Sequence, residues 1–273
     1  MDYSIAVRSY RRVKLFATDT YAMLKRNSLL HRTTVFVQDE EDYNLYTAAF
    51  PDVKIVLAPR ASAGDAFRVM CDYYPPNHPI VFFDDDVEDF FTFDADMKLT
   101  KKATTLHETL LEGFKLIDEH NLGSFTFLFS DNRLHARAKP RVKFQFRFLS
   151  GGAFACRNEK DLIFTQSTQD DVERTARFFK KYGGVLNFFR CGFKIKFGWG
   201  EGGCQSDDFR KAETRLEATR KSAEELLPRY PEVFAAVKYN ATYNWHDLKF
   251  HHPITLAKKL RAIGTPVRQL AWE

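Results

Sequence analysis

Three consecutive carboxylates, Asp84, Asp85 and Asp86, follow directly after the apolar segment 79–83. In an extended chain Asp84 and Asp86 point to the same side, while Asp85 points to the other. Two carboxylates on one side can hold a divalent cation, Mn²⁺ or Mg²⁺, that bridges the phosphates of a diphosphate. A solvated acidic turn is the open alternative, because residues 88–89 continue the acidic run.

A second acidic pair, Asp170 and Asp171, lies at the predicted start of a helix over residues 172–181. Exposed backbone N–H groups favour carboxylates at that position, so one of the two can be a helix cap. The functional interpretation is general base catalysis, in which one carboxylate takes the proton of an acceptor hydroxyl. Crowding of like charges would raise the pKa of at least one of the pair.

A third acidic cluster competes with the second. The glycine-rich segment 198–208 contains Trp199 and ends in Ser206, Asp207 and Asp208. This composition is typical of a mobile flap or of a surface on which an acceptor substrate binds, and Trp199 would then contact that substrate. The three polar residues at its end also favour an N-cap for a long helix over 209–227.

Short apolar strands alternate with helical segments over the first 86 residues, and these elements must position the acidic groups. Strands are predicted over 4–10, 33–37, 53–57 and 79–83. This order predicts an α/β fold with a mainly parallel sheet flanked by helices, and ligands of such sheets bind at the carboxyl ends of the strands. The polar residues at those ends are Arg8, Ser9, Tyr10, Asp39, Arg60 and Asp84 to Asp86. Neither a G-x-G-x-x-G fingerprint nor a P-loop is present in the sequence.

The segment 131–147 is strongly basic, and its second part alternates in character. Arg141, Lys143 and Arg147 are predicted on one face of a strand, with Val142 and Phe144 on the other. Cations beside an acceptor pocket suit a polyanion such as DNA, whose phosphates they would contact. A solvated strand face is the alternative.

The composition is that of a globular protein: 273 residues, 44% hydrophobic and 28% charged, with a net charge of +5. The four cysteines have no regular spacing, which argues against a zinc knuckle or a disulfide framework. No apolar stretch approaches the ~20 residues of a membrane span. The expected location is the cytoplasm, with no membrane partner.

The order of the acidic motifs resembles the GT-A fold glycosyltransferases, which carry a D-x-D motif at the end of the strand that corresponds to 79–83. Residues 150–157 resemble their acceptor segment, in which a glycine pair is followed by an arginine, and Asp170 and Asp171 lie where inverting members place an E-D pair, with Arg174 after it. Asp stands at position 170 where Glu is commoner. The resemblance covers about residues 4–198.

The resemblance implies a single GT-A (Rossmann-like) domain with a mixed, mainly parallel sheet flanked by helices. Residues 1–100 would form the nucleotide-sugar-binding half, residues 101–205 the acceptor-binding half, and residues 206–273 a helical C-terminal segment. Members often complete the metal site with a histidine near the C-terminus. His251 is the predicted ligand, His246 and His252 are alternatives, and each is equally well explained as a loop histidine.

The motifs and the charge pattern together predict a role for each candidate residue. Asp171 would be the base and Asp170 its partner. The donor-binding residues would be Arg8, Ser9, Tyr10, Asp39, Arg60, Arg68, Asp84 and Asp85. The acceptor-binding residues would be Gly151, Gly152, Arg141, Lys143, Arg147 and Trp199. The metal ligands would be Asp84, Asp86 and His251.

The segments 5–12 and 34–43 are also similar to phage glycosyltransferases associated with TET-type oxygenases. This narrower resemblance implies transfer of a sugar to a hydroxymethyl pyrimidine in DNA, in the host cell cytoplasm. The donor expected for the GT-A glycosyltransferase is a nucleotide-sugar, a UDP-sugar first of all. The target base would have to leave the stack at a cost on the order of a few kcal/mol. A glycan- or protein-directed transferase of the same fold is one alternative, and a non-catalytic nucleic-acid-binding protein is another.

Overall fold

The computed structural model describes residues 2–59, 63–100, 105–129, 131–165, 168–196, 212–242 and 244–272. The strands of its large sheet are β1 (Ser4–Arg8), β2 (Thr33–Val37), β3 (Lys54–Leu57), β4 (Pro79–Phe83), β5 (Val87–Phe93), β6 (Leu99–Thr100), β7 (Ser124–Leu128), β8 (Val142–Gln145), β9 (Ala153–Arg157), β10 (Val185–Ile195) and β13 (Leu270–Trp272). A separate hairpin consists of β11 (Phe234–Asn240) and β12 (Trp245–Phe250). The helices are α1 (Val13–Thr18), α2 (Thr20–Arg26), α3 (Glu40–Ala49), α4 (Ala63–Tyr73), α5 (Thr105–Glu119), α6 (Lys160–Ile163), α7 (Asp170–Tyr182), α8 (Ala212–Arg229) and α9 (Pro253–Ala262).

The large sheet has 11 strands in the order β13-β8-β10-β7-β9-β4-β1-β2-β3, with β5 paired to β10 and β6 paired to β5. Strands β5, β8 and β9 run against the remaining strands, so the sheet is mixed and mainly parallel. The predicted fold class is confirmed. In the parallel block β3-β2-β1-β4 the carboxyl ends of the strands meet at one edge, where ligands of α/β sheets bind.

Both faces of the sheet are buried, which explains why its central strands are apolar along their whole length. Along β4, Val81 and Phe83 belong to one core cluster and Ile80 and Phe82 to the other, as the two-residue period of a strand requires. The first cluster includes residues of α1, α2, α3 and α5. The second includes residues of α4, α7, α8 and α9, so the sheet is enclosed between two layers of helices.

Helix α7 carries the second acidic pair in its first turn and lysines in its last turn, an arrangement that the helix dipole favours at both ends. The helix ends at Gly183, whose φ is +78° and whose N–H donates to the carbonyl of Phe179. A Cβ at Gly183 would lie 2.4 Å from the carbonyl oxygen of Pro266, so only glycine is accommodated there without strain. The predicted helix over 172–181 is confirmed.

The strands predicted over 33–37 and 79–83 are confirmed at the same residues. The C-terminal segment differs from the helical prediction over 206–273. Its described part contains α8 and α9, but also the hairpin and strand β13, which joins the large sheet beside β8. Aromatic and β-branched residues in the hairpin explain the difference, because they favour strands over helices. None of the helices in the described ranges is long and apolar enough to cross a membrane.

Candidate active site at the carboxyl ends of β1 and β4

The acidic run Asp84–Asp86 leaves the end of β4 with alternating orientation. Asp85 is 4% exposed and accepts hydrogen bonds from Ser9 Oγ at 2.5 Å and Arg12 Nη1 at 3.2 Å. Asp84 and Asp86 are more exposed, at 27% and 14% of their side chains. The predicted alternation is therefore present, with Asp85 buried against Ser9 and Arg12 and its two neighbours on the more exposed side.

Asp86 is the least satisfied member of the run. Its Oδ1 atom is buried and accepts no hydrogen bond from any described residue, and the described cation paired with it is Arg12, whose Nη1 lies 3.9 Å from Oδ2. Burial and the carboxylates of Asp84 and Asp85 raise the pKa of Asp86 to about 8, although Arg12 opposes the shift. An orphaned carboxylate oxygen of this kind is suited to a hard cation.

Thr20, at the start of α2, fixes the backbone of this turn. Its hydroxyl donates to the carbonyl of Asp84 at 2.8 Å and accepts from the N–H of Val87 at 2.9 Å. The sequence alone does not identify Thr20 or Arg12 as site residues. For Arg12 the one available indication was its position in the polar segment that follows β1. Both residues belong to the N-terminal layer that the sheet brings against β4.

Arg8, the last residue of β1, joins the two acidic motifs. Its Nε donates to Asp84 Oδ1 at 2.6 Å, and its Nη1 lies 3.8 Å from Asp170 Oδ2. The guanidinium carbon lies 4.6 Å from the centroid of the Phe67 ring, which holds the planar group from one side. One largely buried cation thus lies beside a carboxylate from each of two distant segments.

Asp170 and Asp171 have different environments although they are adjacent. Burial raises the pKa of Asp170, but the charges of Arg174 and Arg8 outweigh it, so this pKa lies below its usual range. Burial and the negative charge of Asp170 raise the pKa of Asp171 to about 6. Two carboxylates whose pKa values are pushed apart in this way can have separate roles, one as a fixed charge and one as a proton acceptor.

Gly151 and Gly152 form the turn before β9 and lie between the two acidic motifs. A Cβ at Gly151 would lie 3.7 Å from Asp171 Cβ and 3.6 Å from Arg8 Nη2. A Cβ at Gly152 would lie 2.8 Å from Ile195 Cδ1 and 3.8 Å from Asp84 Oδ2. At Gly152 a side chain would collide with Ile195, so the close approach of Ile195 requires glycine there, and the absence of a side chain at Gly151 keeps the turn close to Arg8 and Asp171.

Several predicted donor residues have structural partners. Ser9 is buried, with its Oγ 2.5 Å from the Tyr46 hydroxyl, and Asp39 caps α3 by accepting from the N–H of Asp42 at 2.9 Å. Arg68 pairs with Asp65, one turn earlier on α4, at 3.2 Å. The predicted donor residue Arg60 lies outside the described residues. Tyr10 is the second residue after β1, and its ring centroid lies 5.0 Å from the guanidinium carbon of Arg11.

The basic segment is placed differently from its prediction. Val142 and Phe144 are buried as expected, but the strand is shorter than the alternating segment and lies between β10 and β13. Arg141 forms a two-pronged ion pair with Glu112 of α5, which neutralises it within the protein and leaves it poorly suited to acceptor phosphates. Lys143 and Arg147 are half-buried. Burial and the nearby charge of Arg137 lower the pKa of Arg147.

The late histidines lie around the hairpin. His251 Nε2 is 3.1 Å from the carbonyl oxygen of Pro231, and the carbonyl of His246 accepts from Gln169 Nε2 at 2.7 Å, beside the start of α7. In the ranges that the structure covers, no three His, Cys, Asp or Glu side chains are grouped to hold one metal ion. The predicted acceptor residue Trp199 and the competing pair Asp207–Asp208 lie outside the described residues.

Comparison with known proteins gives similarity at the level of solved structures. No protein-family model matches the chain, and no curated protein matches it. The mannosyltransferase PcManGT from Pyrobaculum calidifontis, in complex with GDP-Man and Mn²⁺, is 14% identical with a TM-score of 0.48, over 81% of this chain and 64% of that one. TarS from S. aureus is 14% identical with a TM-score of 0.49, over 83% of this chain and 40% of that one.

A third similar structure is glucosyl-3-phosphoglycerate synthase from Mycobacterium tuberculosis in complex with phosphoglyceric acid. It is 12% identical with a TM-score of 0.47, over 98% of this chain and 88% of that one. The chain therefore spans less than two thirds of the first two proteins, PcManGT and TarS, and most of the third.

Proposed function

We propose that this protein is a glycosyltransferase that moves a sugar from a nucleotide-sugar to a hydroxyl acceptor, with inversion at the anomeric carbon. The observation that carries the proposal is the position of Arg8, which contacts Asp84 at 2.6 Å and lies 3.8 Å from Asp170. A site for an anionic leaving group and a carboxylate base must lie on either side of one sugar. The proposal assigns the leaving-group side to Asp84 and the base side to Asp170 and Asp171, and the turn at Gly151 and Gly152 lies beside both.

In the proposed reaction Asp171 accepts the proton of the acceptor hydroxyl as that oxygen attacks the anomeric carbon. A new C–O bond forms on one face of the sugar, and the bond to the nucleoside diphosphate breaks on the other. The electron pair of the broken bond leaves with the diphosphate. Arg8 lies between the motifs and can stabilise the charge that develops on the leaving phosphate.

Asp84 and Asp86 are the proposed ligands of a divalent cation, Mn²⁺ or Mg²⁺. Their donor set suits it, since both are carboxylates on one side of the chain and Asp86 Oδ1 is buried without a hydrogen bond from the described residues. The cation would supply charge neutralisation for the diphosphate. With no third carboxylate or histidine grouped there in the described ranges, phosphate oxygens and water would complete the coordination. His251, turned to Pro231, is a less suitable third ligand.

Isothermal titration with a panel of nucleotide-sugars, with and without Mn²⁺, tests the proposed function. We expect one nucleotide-sugar, a UDP-sugar first of all, to bind only with the cation present. Incubation of that donor with hydroxyl acceptors should then release the nucleoside diphosphate. If no nucleotide-sugar binds with or without Mn²⁺, the proposal is wrong, and a non-catalytic role becomes the better interpretation.

For the acceptor, we propose a hydroxymethyl pyrimidine in DNA. Support comes from the basic segment ahead of Gly151, where Arg147 is half-buried and none of the described carboxylates contributes to its electrostatic environment. A half-buried cation beside a second arginine is unfavourable unless an anion approaches it. The phosphates of a DNA strand are suitable anions, while a neutral glycan would leave this charge uncompensated.

Replacement of Lys143 and Arg147 together by Gln should weaken the binding of hydroxymethylated DNA and flatten its salt dependence. Each lost phosphate contact reduces the slope of log K against log salt by about 0.9, so a change of about 2 is expected. Arg141→Gln is the matched control from the same basic segment, because Glu112 already neutralises Arg141. It should lower thermal stability and leave the slope unchanged. An unchanged slope in the double variant would favour a glycan or protein acceptor.

A further inference from the structure

Helix α7 contains two ion pairs of the same kind. Arg174 Nη2 donates to Asp170 Oδ2 and Arg177 Nη2 donates to Glu173 Oε1, each over 2.6 Å and each across one helical turn. Both pairs are largely or completely buried. They differ in their position, because Asp170 lies beside Arg8 and the candidate active site, while Glu173 contacts Tyr230 and Arg229 on the side of α8.

Arg174 is fully buried and packs against two aromatic rings. Its guanidinium carbon lies 4.1 Å from the centroid of the Phe67 ring and 4.6 Å from that of Phe154, and its Nε donates to the carbonyl of Ile163 at 3.4 Å. Burial of a guanidinium is costly unless it serves a buried anion, and the only carboxylate it bonds among the described residues is Asp170. Packing against Phe67 and Phe154 therefore holds the positive charge of Arg174 beside Asp170.

Phe67 connects this buried cation to the site. The same ring lies 4.6 Å from the guanidinium carbon of Arg8, so Arg8 and Arg174 both lie against it and both approach Asp170 Oδ2. Asp170 is therefore held by one cation from β1 and one from its own helix. Asp171 receives no comparable contact, since its Oδ1 accepts only the N–H of Val172 among the described residues.

We infer that Arg174 is a positioning residue that keeps Asp170 ionised and fixed, so that Asp171 is the carboxylate free to accept the acceptor proton. The inference rests on the proposed function for the identity of the reaction. The ion pairing itself does not depend on it. The charged groups that influence Asp171 are Asp170 and Arg174 on its own helix and Arg8 from β1. Asp170 raises the pKa of Asp171, whereas Arg174 and Arg8 lower it.

Three variants distinguish this role from simple packing, because they change the charge around Asp171 in opposite directions. Arg174→Met removes a positive charge and should raise the upper pKa of the carboxyl pair above about 6, by about 1–3 pH units. Asp170→Asn removes a negative charge and should lower the pKa of Asp171. Arg174→Lys keeps the charge and should leave the upper pKa near its original value, while the loss of the planar stack reduces kcat.

The measurement is a pH titration of the aspartate carboxyl carbons by NMR on the ligand-free protein, with Asp171→Asn to assign the signal. This readout needs no substrate, so it remains decisive even if the glycosyl transfer reaction proves to be wrong. The acid limb of the kcat–pH profile should shift in the same directions as the NMR pKa values. If Arg174→Met does not fold, the other two variants still test the inference. Asp170→Asn should lower the pKa of Asp171, and Arg174→Lys should leave the upper pKa of the pair unchanged.

Arg177→Met is the matched control, because it breaks the other ion pair of α7 at the same spacing. It should lower the melting temperature and leave the pKa of Asp171 and the acid limb unchanged. The inference is overturned if Arg174→Met and Asp170→Asn leave the pKa of Asp171 where it is. It is also overturned if Arg177→Met shifts that pKa as far as Arg174→Met does, since Arg174 would then act only through the stability of the helix.

Discussion

Asp171→Asn is expected to lower kcat by about 10²–10⁴-fold, the range that general base catalysis contributes, and to leave the Kd of the nucleotide-sugar almost unchanged. The asparagine side chain has nearly the same shape, and its oxygen can still accept the N–H of Val172, which bonds Asp171 Oδ1 at 2.8 Å. It cannot take a proton. The substitution should therefore lower the single-turnover rate, and the Kd measured by titration with the nucleotide-sugar should stay the same.

The pH dependence adds a second signature. Because the pKa of Asp171 is raised to about 6, the carboxyl is protonated below that pH and cannot act as a base. The kcat of the parent protein should thus fall as the pH decreases through about 6, and the residual activity of Asp171→Asn should lack that limb. A limb that persists in Asp171→Asn would assign the base to another group.

Asp207→Asn checks the competing acidic pair, because the sequence predicts Asp207 as a helix cap. Loss of a cap costs about 1 kcal/mol of stability and little rate. If Asp207→Asn is the inactive protein and Asp171→Asn is only less stable, the base belongs to the segment 198–208.

Asp86→Ala should reduce cation-dependent donor binding and turnover by about 10²-fold or more, since a bound metal ion is worth several kcal/mol of charge stabilisation. The same substitution should not lower the stability of the folded protein, although it lowers binding and turnover. A carboxyl whose pKa is raised to about 8 in the folded protein disfavours folding at every pH above its unfolded pKa. Removal of Asp86 should therefore leave the melting temperature at pH 7 equal or higher. Calorimetric titration with Mn²⁺ and thermal unfolding measure the two effects.

Asp89→Ala is the matched control for the metal assignment. Asp89 lies three residues further along on β5 and pairs with Arg26 at 3.2 Å, so its removal deletes a carboxylate outside the candidate site. Donor binding should be unchanged in this variant. Full turnover by Asp86→Ala in excess chelator would contradict the metal assignment.

The features of the site that depend on chain neighbours could be predicted from the sequence. The apolar run 79–83 followed by three carboxylates predicts a buried strand with Asp84 and Asp86 on one side, and the structure buries Asp85 on the other. The start of a helix at Asp170 could be predicted for the same reason, because carboxylates favour the first helical turn. Arg174 was detectable as well, since it lies one turn after Asp170.

The tertiary structure alone decided which charges meet. Arg8 bonds Asp84, 76 residues further along, because β1 and β4 are adjacent in the sheet, and it also reaches Asp170 at the start of α7. Arg141 has the alternation of an exposed cation, yet Glu112 of α5 neutralises it. Strand alternation and helix starts follow from the geometry of neighbouring residues. The pairing of charges depends on which elements the order of the sheet brings side by side, and no local pattern encodes that order.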